Sequence, residues 1–155
     1  MSEPTPVRAF ENKDAAERAT ATIRDFYRTI DNPERSPEEV GTFFADTYVD
    51  HGRNPAFFPE LDDAEAHVAF FRLLKRAFTD AVHDIQMIGP FRDNQIVAYW
   101  TFRAQHTGEM FGIPASGRQV QFNGIDIYTM AGNRIAEQHH VVDVASLMAQ
   151  IGSRQ

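Results

Sequence analysis

Two side chains able to exchange protons lie on segments that otherwise have the pattern of apolar strands. Asp126 shares the even positions of residues 119–130 with mostly apolar side chains. A carboxylate on such a face must be paired, protonated or functional, because an unpaired buried charge is costly. On the next segment, 133–142, His140 shares its set of positions with Gln138. An acid can orient an imidazole, which then transfers protons near neutral pH. We therefore predict Asp126 and His140 as catalytic residues.

The strand register decides whether these groups meet. A turn near Gly132 makes the two segments neighbours, and counting outward from it places Gln138 and His140 on the same face as Asp126. A slip of one residue would turn His139 inward instead. Two plain structural alternatives remain open for these residues. Asp126 would then be a buried acid satisfied by a tyrosine hydroxyl or a backbone amide, and His140 a surface residue at a strand end.

Other polar residues are candidates for the same pocket. Asp50 and His51 follow a helix end, where a chain often returns to a cavity mouth, although ordinary turn chemistry also accounts for one of them. His106 ends a predicted strand and either lines the pocket or caps the loop that follows. His67 and His83 have the pattern of core-edge or surface residues.

A metal or nucleotide site is not expected. The chain has six histidines, but no HxH, HxxxH or HExxH spacing occurs. His139 and His140 are adjacent in a strand, so their side chains point to opposite faces. The absence of cysteine excludes disulfides and thiolate ligands. No glycine-rich phosphate loop lies between a strand and a helix, so a nucleotide cofactor is not expected.

The elements that must position these residues fall into two groups along the chain. Apolar residues at three- and four-residue spacing predict helices from Lys13 to Asp31, from Ser36 to near Asp46, and after a capping signal at residues 62–65. After Asp80 the apolar period changes to two. The predicted strands lie at about 82–89, 95–106, 119–130 and 133–142, and a closing helix at about 144–151.

Helices followed by hairpin-linked strands predict an α+β fold, with a curved antiparallel sheet wrapped around the N-terminal helices. Residues 1–12 are expected to form a loose arm and residues 13–152 a single domain. The aromatic content of 12%, with 13 Phe, suits a lined cavity. The predicted walls are Phe26, Phe71, Trp100 and Phe122.

Composition limits the partners. The net charge of −7 argues against nucleic acids and anionic membranes, which attract basic surfaces. No apolar run has membrane-spanning length, and the polar N-terminus lacks a signal core, so a cytoplasmic location is expected. Ile125 and Ile127 interrupt the polar outer face of their strand, which favours a homodimer formed through the sheet.

Residues 98–143, AYWTFRAQHTGEMFGIPASGRQVQFNGIDIYTMAGNRIAEQHHVVD, resemble the SnoaL-like polyketide cyclase family. The features that match are H-T-G, G-I-P, G-R-x-V and G-I-D-I-Y, in that order, followed by a turn and the closing V-V-D. YVDHG at residues 48–52 is similar to the family's Tyr-then-polar segment. The resemblance implies a cone fold shared with ketosteroid isomerase, scytalone dehydratase and nuclear-transport-factor-like domains.

The resemblance also implies a reaction. The founding cyclases close a ring by intramolecular aldol condensation without a cofactor, and an aspartate on the last strand acts as acid/base. By position, that aspartate falls on His140, and pocket histidines of the family fall on Gln138 and Asp126. The family's pocket asparagine falls on Asp50, whereas the histidine of the H-x-G loop is kept as His106. The pocket stays polar, but its acid and base are rearranged.

Two functions are compatible with this pattern. The first is acid/base chemistry on a carbonyl compound, such as aldol cyclisation, isomerisation or dehydration, with His140 as general base and Asp126 orienting it. Gln138 or Tyr128 would then donate a hydrogen bond to the enolate oxygen. The second is a binding module that holds a small hydrophobic ligand without changing it, since one fold hosts both kinds of protein.

Overall fold

A computed structural model describes residues 10–52, 63–92 and 94–152 of the chain. Its elements are α1 (Lys13–Asp31), α2 (Pro37–Gly41), β1 (Phe44–Asp50), α3 (Ala64–Ala77), β2 (Phe78–Pro90), β3 (Gln95–His106), β4 (Gln119–Ala131), β5 (Arg134–Val142) and α4 (Val144–Gly152). Residues 1–9, which belong to the predicted arm, and residues 53–62, 93 and 153–155 lie outside the described residues. None of the helices in the described ranges is long and apolar enough to cross a membrane.

The five strands form one sheet in the order β1-β5-β4-β3-β2. Consecutive strands from β2 to β5 are antiparallel, whereas β1 lies parallel to β5. The sheet is curved and unclosed, and its concave face packs against the helices. The predicted α+β fold is therefore confirmed.

The helix predicted for residues 42–46 was wrong, because α2 ends at Gly41 and the strand β1 begins at Phe44. Ser36 caps α2 by accepting the Glu39 N–H at 3.2 Å, and the helix ends after little more than one turn, at Gly41. The buried Phe44 and Tyr48 then follow strand spacing. Pairing with β5, far away in the chain, selects this conformation, so local propensity did not reveal it.

The two long helices are anchored at their N-termini and bury one face each. Asn12 caps α1 by accepting the Ala15 N–H at 2.8 Å, and Asp63 caps α3 in the same way. The buried face of α1 includes Phe26 and Tyr27. Buried residues of α3 include His67 and Phe71, at the four-residue spacing that places side chains on one side of a helix.

The register of β4 and β5 is the predicted one, and a bulge makes it possible. Every even position of β4 from 120 to 130 is buried. Met130 pairs with Ile135 but Thr129 pairs with Glu137, so β5 carries one extra residue at Ala136. Ile135 and Gln138 therefore both point inward. His140 lies opposite Asp126, and His139 is exposed.

A glycine on β4 makes room for the indole of Trp100. Gly124 pairs with Trp100 across the β3–β4 ladder, and a Cβ at position 124 would lie 2.2 Å from the indole ring. No real side chain tolerates that distance. The indole therefore occupies the space that a side chain at position 124 would take.

We expect Gly124→Ala to displace the indole and lower the free energy of unfolding by about 1–3 kcal/mol, the usual cost of overpacking. Trp100 is the only tryptophan, so its fluorescence reports the displacement directly. Gly89→Ala is the matched control, because a Cβ there meets no atom within 4 Å. Equal denaturant midpoints and unchanged emission in the two variants would contradict this account of the packing.

Candidate functional site

A cavity of about 110 Å³ lies between the concave face of the sheet, the helices α1 and α3, and the start of α4. Most of its wall is aromatic or aliphatic, as predicted for Phe26, Phe71, Trp100 and Phe122. The polar side chains that reach the wall are Tyr27, His67, His83, Asp126, Tyr128, Gln138 and His140. Such a small set of polar groups in an apolar enclosure is typical of a site for a small organic molecule.

Asp126 is buried at the centre of a ring of donors. Its Oδ2 atom accepts hydrogen bonds from the Tyr27 hydroxyl at 2.5 Å, from Trp100 Nε1 at 2.6 Å and from the Tyr128 hydroxyl at 3.0 Å. Its Oδ1 atom accepts one from Gln138 Nε2 at 3.1 Å. Four donors converge on this carboxyl group, an arrangement that stabilises a buried carboxylate.

Asp50 is the second buried acid, and it joins two histidines. His140 Nε2 lies 2.9 Å from Asp50 Oδ2, and His67 Nε2 lies 3.2 Å from the same oxygen. The other oxygen accepts the Gly52 N–H at 2.7 Å. A side chain at position 52 would clash with His140, since its Cβ would lie 2.5 Å from both the ring and the backbone nitrogen. Gly52 therefore lets the chain close over this pair.

A short bridge connects the two acids. The Tyr48 hydroxyl donates to Gln138 Oε1 at 2.8 Å and lies 3.3 Å from His67 Nε2. Because Gln138 in turn donates to Asp126, one continuous network runs from His140 to Tyr27. A change of charge at one end is therefore felt at the other.

The charges in this network shift the pKa values of its members. Burial alone would raise the pKa of Asp50, but its hydrogen bonds from His140 and His67 outweigh burial and hold the pKa well below its usual range. Burial alone would lower the pKa of His140, but Asp50, with help from the charge of Asp126, raises it above its ordinary value. Burial, followed by the charge of Asp126, raises the pKa values of Tyr27 and Tyr128 well above normal.

The structure corrects the predicted partner of His140. Asp126 and His140 share a face, but the four donors to Asp126 do not include the imidazole. Asp50 orients His140 instead. The physical reason is β1, which the sequence did not reveal and which brings Asp50 alongside Gln138 in the parallel ladder.

Three predicted binding residues, Asp50, His51 and His106, do not line the cavity. Asp50 instead contacts two residues that do, His67 and His140. His51 is outside the cavity, where its Nε2 atom lies 2.9 Å from Glu137 and its ring stacks on His139 at 4.6 Å. His106 is fully buried, but it secures the loop after β3, since its Nδ1 atom lies 2.9 Å from the Ser116 hydroxyl. The sequence could not settle the place of His51 and His106, because a polar residue at the end of an element can lie at a cavity mouth or in an ordinary turn.

Three polar residues of the cavity wall were missed. Tyr27 was counted only as part of an apolar helix stripe, and His67 and His83 were taken as core-edge or surface residues. For Tyr27 a signal existed, because its hydroxyl has to find a partner on a buried face. His67 lies four residues before Phe71 on the same face of α3, which also pointed to burial. Within the described ranges, no group of three or more His, Asp or Glu residues is arranged to hold a metal ion.

Comparison with known proteins identifies relatives of the whole domain. Residues 21–151 match the family described as SnoaL-like polyketide cyclase. IdmH from Streptomyces antibioticus, a proposed polyketide cyclase, is 21% identical and has a TM-score of 0.72, over 87% of this chain and 99% of that chain. A proposed SnoaL-like polyketide cyclase from Jannaschia sp. CCS1 is 14% identical with a TM-score of 0.76, over 100% of both chains.

One similar structure has a different description. AclR from Streptomyces galilaeus, a proposed hydroxylase, is 14% identical with a TM-score of 0.76, over 88% of this chain and 82% of that chain. Comparison with curated proteins finds no significant match. At such identities the solved structures establish the fold, and the reaction has to be argued from the site.

The raised pKa of His140 predicts how stability depends on pH. The stabilisation from its pairing with Asp50 is fully present below the pKa of an unfolded histidine and is lost as pH rises through the higher folded value. We therefore expect the gap in unfolding free energy between the wild-type protein and His140→Gln to narrow as pH rises above about 6.5, the ordinary pKa of histidine. Urea denaturation at each pH measures the gap.

The matched control is His139→Gln, because His139 is the exposed neighbour on the same strand. This variant should track the wild-type protein across the whole range. A gap for His140→Gln that stays constant with pH would show that the imidazole carries no raised pKa.

Proposed function

We propose that this chain, which belongs to the SnoaL-like polyketide cyclase family, performs cofactor-free acid/base chemistry on a small carbonyl compound. The observation that carries the proposal is that His140, which lines the cavity, is paired with the buried carboxylate of Asp50. The position at which the family resemblance expects an aspartate holds His140, and the neighbouring strand supplies the carboxylate. The resemblance expects an acid at position 140 and an uncharged polar residue at position 50. This chain instead has His140 at the first position and the acid, Asp50, at the second.

His140 would act as the general base. Because Asp50 accepts the hydrogen on Nε2, the neutral ring carries its lone pair on Nδ1. Among the described residues, none donates a hydrogen bond to Nδ1. That nitrogen is free to remove a proton from the carbon next to a carbonyl group. The Asp50 carboxylate then stabilises the imidazolium that forms.

Tyr128 is the donor best able to stabilise the enolate oxygen. Its single hydroxyl hydrogen has two acceptors, Tyr27 Oη at 2.8 Å and Asp126 Oδ2 at 3.0 Å. If that hydrogen turned to a substrate oxygen, Asp126 would keep its bonds from Tyr27 and Trp100. Asp126 itself is a poor candidate for the base, because donors occupy both of its oxygens.

The size of the cavity limits the part of the substrate that enters it. A cavity of about 150 Å³ binds benzene when it is apolar. The described wall encloses about 110 Å³, so the reacting portion is about the size of a single ring. The same enclosure also suits the alternative function, a binding module for a small hydrophobic ligand. Turnover distinguishes the two functions.

Exchange of α-hydrogens tests the general base directly. We expect the wild-type protein to speed the exchange of the α-hydrogens of cyclohexanone in deuterated water, followed by proton NMR. His140→Gln should slow the exchange by about 10²–10⁴-fold, the usual contribution of a general base. Because only the neutral imidazole accepts a proton, the wild-type rate should rise with pH through the raised pKa of His140.

His139→Gln serves again as the control and should leave the exchange rate unchanged, since His139 is exposed outside the cavity. Saturable binding of cyclohexanone without any exchange above the background rate would favour the binding module over the enzyme. Equal rates in the wild-type protein and in His140→Gln would remove His140 from the role of base.

The outer face of the sheet supports a further proposal, assembly into a homodimer. Met87 pairs with Tyr99, Tyr99 with Ile125, and Ile125 with Val141, so four strands contribute to one apolar stripe. Met87 is 66% exposed, Ile125 44% and Val141 76%. A continuous apolar patch of this kind is typical of an interface, and a second copy of the same sheet face is a self-complementary partner.

A charge in this stripe should weaken the dimer. We expect Val141→Glu to lower dimer affinity by about 10- to 100-fold, because it would leave a charge unpaired in the interface. Light scattering after size-exclusion chromatography measures the mass. Gln119→Glu adds the same charge on β4 away from the stripe and should remain dimeric. A monomeric wild-type protein at high concentration would overturn the proposal.

A further inference from the structure

A second histidine–carboxylate pair reaches the cavity from β2. His83 lines the cavity, and its Nδ1 atom lies 2.6 Å from Asp31 Oδ1. The other oxygen of Asp31 accepts the backbone N–H of His83, also at 2.6 Å. Both side chains are largely buried, at 10% exposure for His83 and 16% for Asp31. Neither residue belongs to the hydrogen-bond network of Asp50 and Asp126.

Local structure aims His83 inward. Asp80 has a positive φ of 53°, and the β2–β3 register shifts between Thr79 and Val82, which marks a bulge just before His83. The bulge leaves His83 paired with Phe102, a residue of the cavity wall. Aromatic neighbours hold the ring: the centroids of Trp100, Phe102 and Tyr27 lie 4.9, 5.0 and 5.2 Å away.

The contact with Asp31 fixes the chemistry of the ring. Asp31 accepts the hydrogen on Nδ1, so the neutral form of His83 carries its lone pair on Nε2. Among the described residues, none forms a hydrogen bond with Nε2. The bond from the His83 backbone N–H to Asp31 would be enough to hold α1 against β2. The second bond, from the ring to Asp31, orients the imidazole.

The two histidines face the cavity from different strands. His83 lies on β2, in register with Phe122 of β4 through Phe102, whereas His140 lies on β5 opposite Asp126, four residues further along β4. Both imidazoles line the same cavity. Two imidazoles in this arrangement can serve two different atoms of one bound substrate.

We infer that His83, oriented by Asp31, is a second catalytic residue, which protonates a substrate oxygen while His140 acts on carbon. The inference rests on the proposed function and narrows its substrate to a β-hydroxy ketone of about one ring. A base and an acid that line one cavity from different strands suit the loss of water from such a compound.

The proposed step balances without an oxidant or a cofactor. His140 Nδ1 takes the α-hydrogen, and the electrons of that C–H bond form the enolate. The enolate then forms the carbon–carbon double bond as the C–O bond to the β-hydroxyl breaks. The His83 imidazolium gives its Nε2 hydrogen to the departing oxygen, which leaves as water. The products are an unsaturated ketone and water, and solvent returns the proton from His140 to His83.

The test compares two reactions of the same protein. One is the α-hydrogen exchange of cyclohexanone, and the other is the dehydration of β-hydroxycyclohexanone to cyclohexenone, followed by ultraviolet absorbance. We expect His83→Gln to slow dehydration at least about tenfold more than exchange, since a general acid contributes about 10²–10⁴-fold only where a proton must be delivered. His140→Gln should slow both reactions to a similar extent.

A second variant and a control complete the design. Asp31→Asn keeps an acceptor for the backbone of His83 but removes the charge beside the ring, so it should also slow dehydration more than exchange. His139→Gln should change neither rate. Thermal unfolding shows whether each variant is folded.

Exchange without dehydration by the wild-type protein would overturn the role of His83 and leave the proposed function intact. Equal losses of both reactions in folded His83→Gln or folded Asp31→Asn would overturn it as well. No exchange by the wild-type protein would instead overturn the proposed function, and this inference with it.

Discussion

Two carboxylates in an apolar interior, Asp50 and Asp126, set the arrangement of most elements around the cavity. A buried charge costs several kcal/mol unless donors replace the water it has lost. Asp126 draws its donors from α1, β3, β4 and β5, and Asp50 draws its donors from α3, β5 and the turn after β1. Each acid therefore holds several elements in a fixed relation to one another. The positions of the helices over the sheet follow from satisfying these two groups as much as from apolar packing.

Asp50 and Asp126 have different surroundings and different effects on their neighbours, although both are buried. Asp126 is surrounded by donors that bind it tightly, so it acts as a fixed negative charge. Asp50 has two imidazole partners, and its charge makes one of them, His140, more basic. The family resemblance placed the acid on the last strand, whereas here it stands on the neighbouring strand, beside the same cavity. The carboxylate can therefore stand on either of two neighbouring strands of the same fold, which is why the fold alone does not identify the reaction.

The sequence alone predicted the structure correctly where the local periodicity of apolar residues agrees with the tertiary structure. Strict alternation on β4 predicted the inward side of Asp126, and the tight turn at Gly132 predicted the partner strand. The sequence alone did not predict a segment whose conformation depends on pairing with a strand far away in the chain. The segment around Phe44 fits a helix as well as a strand, and only β5 selects the strand. The role of Asp50 followed from that choice, so the true partner of His140 could not be predicted. His83 was missed because the bulge that turns it inward depends on its pairing with β3.

The parallel pairing of β1 with β5 has a consequence for how the protein folds. Asp50 and His140 are 90 residues apart in the chain, whereas β2 to β5 are consecutive in the chain and adjacent in the sheet. Contacts between distant residues carry the largest loop-closure entropy and form slowly. The hairpin-linked strands can assemble first, and β1 has to dock afterwards onto their open edge. The contact between Asp50 and His140 would then form only when β1 docks, after the rest of the sheet is in place.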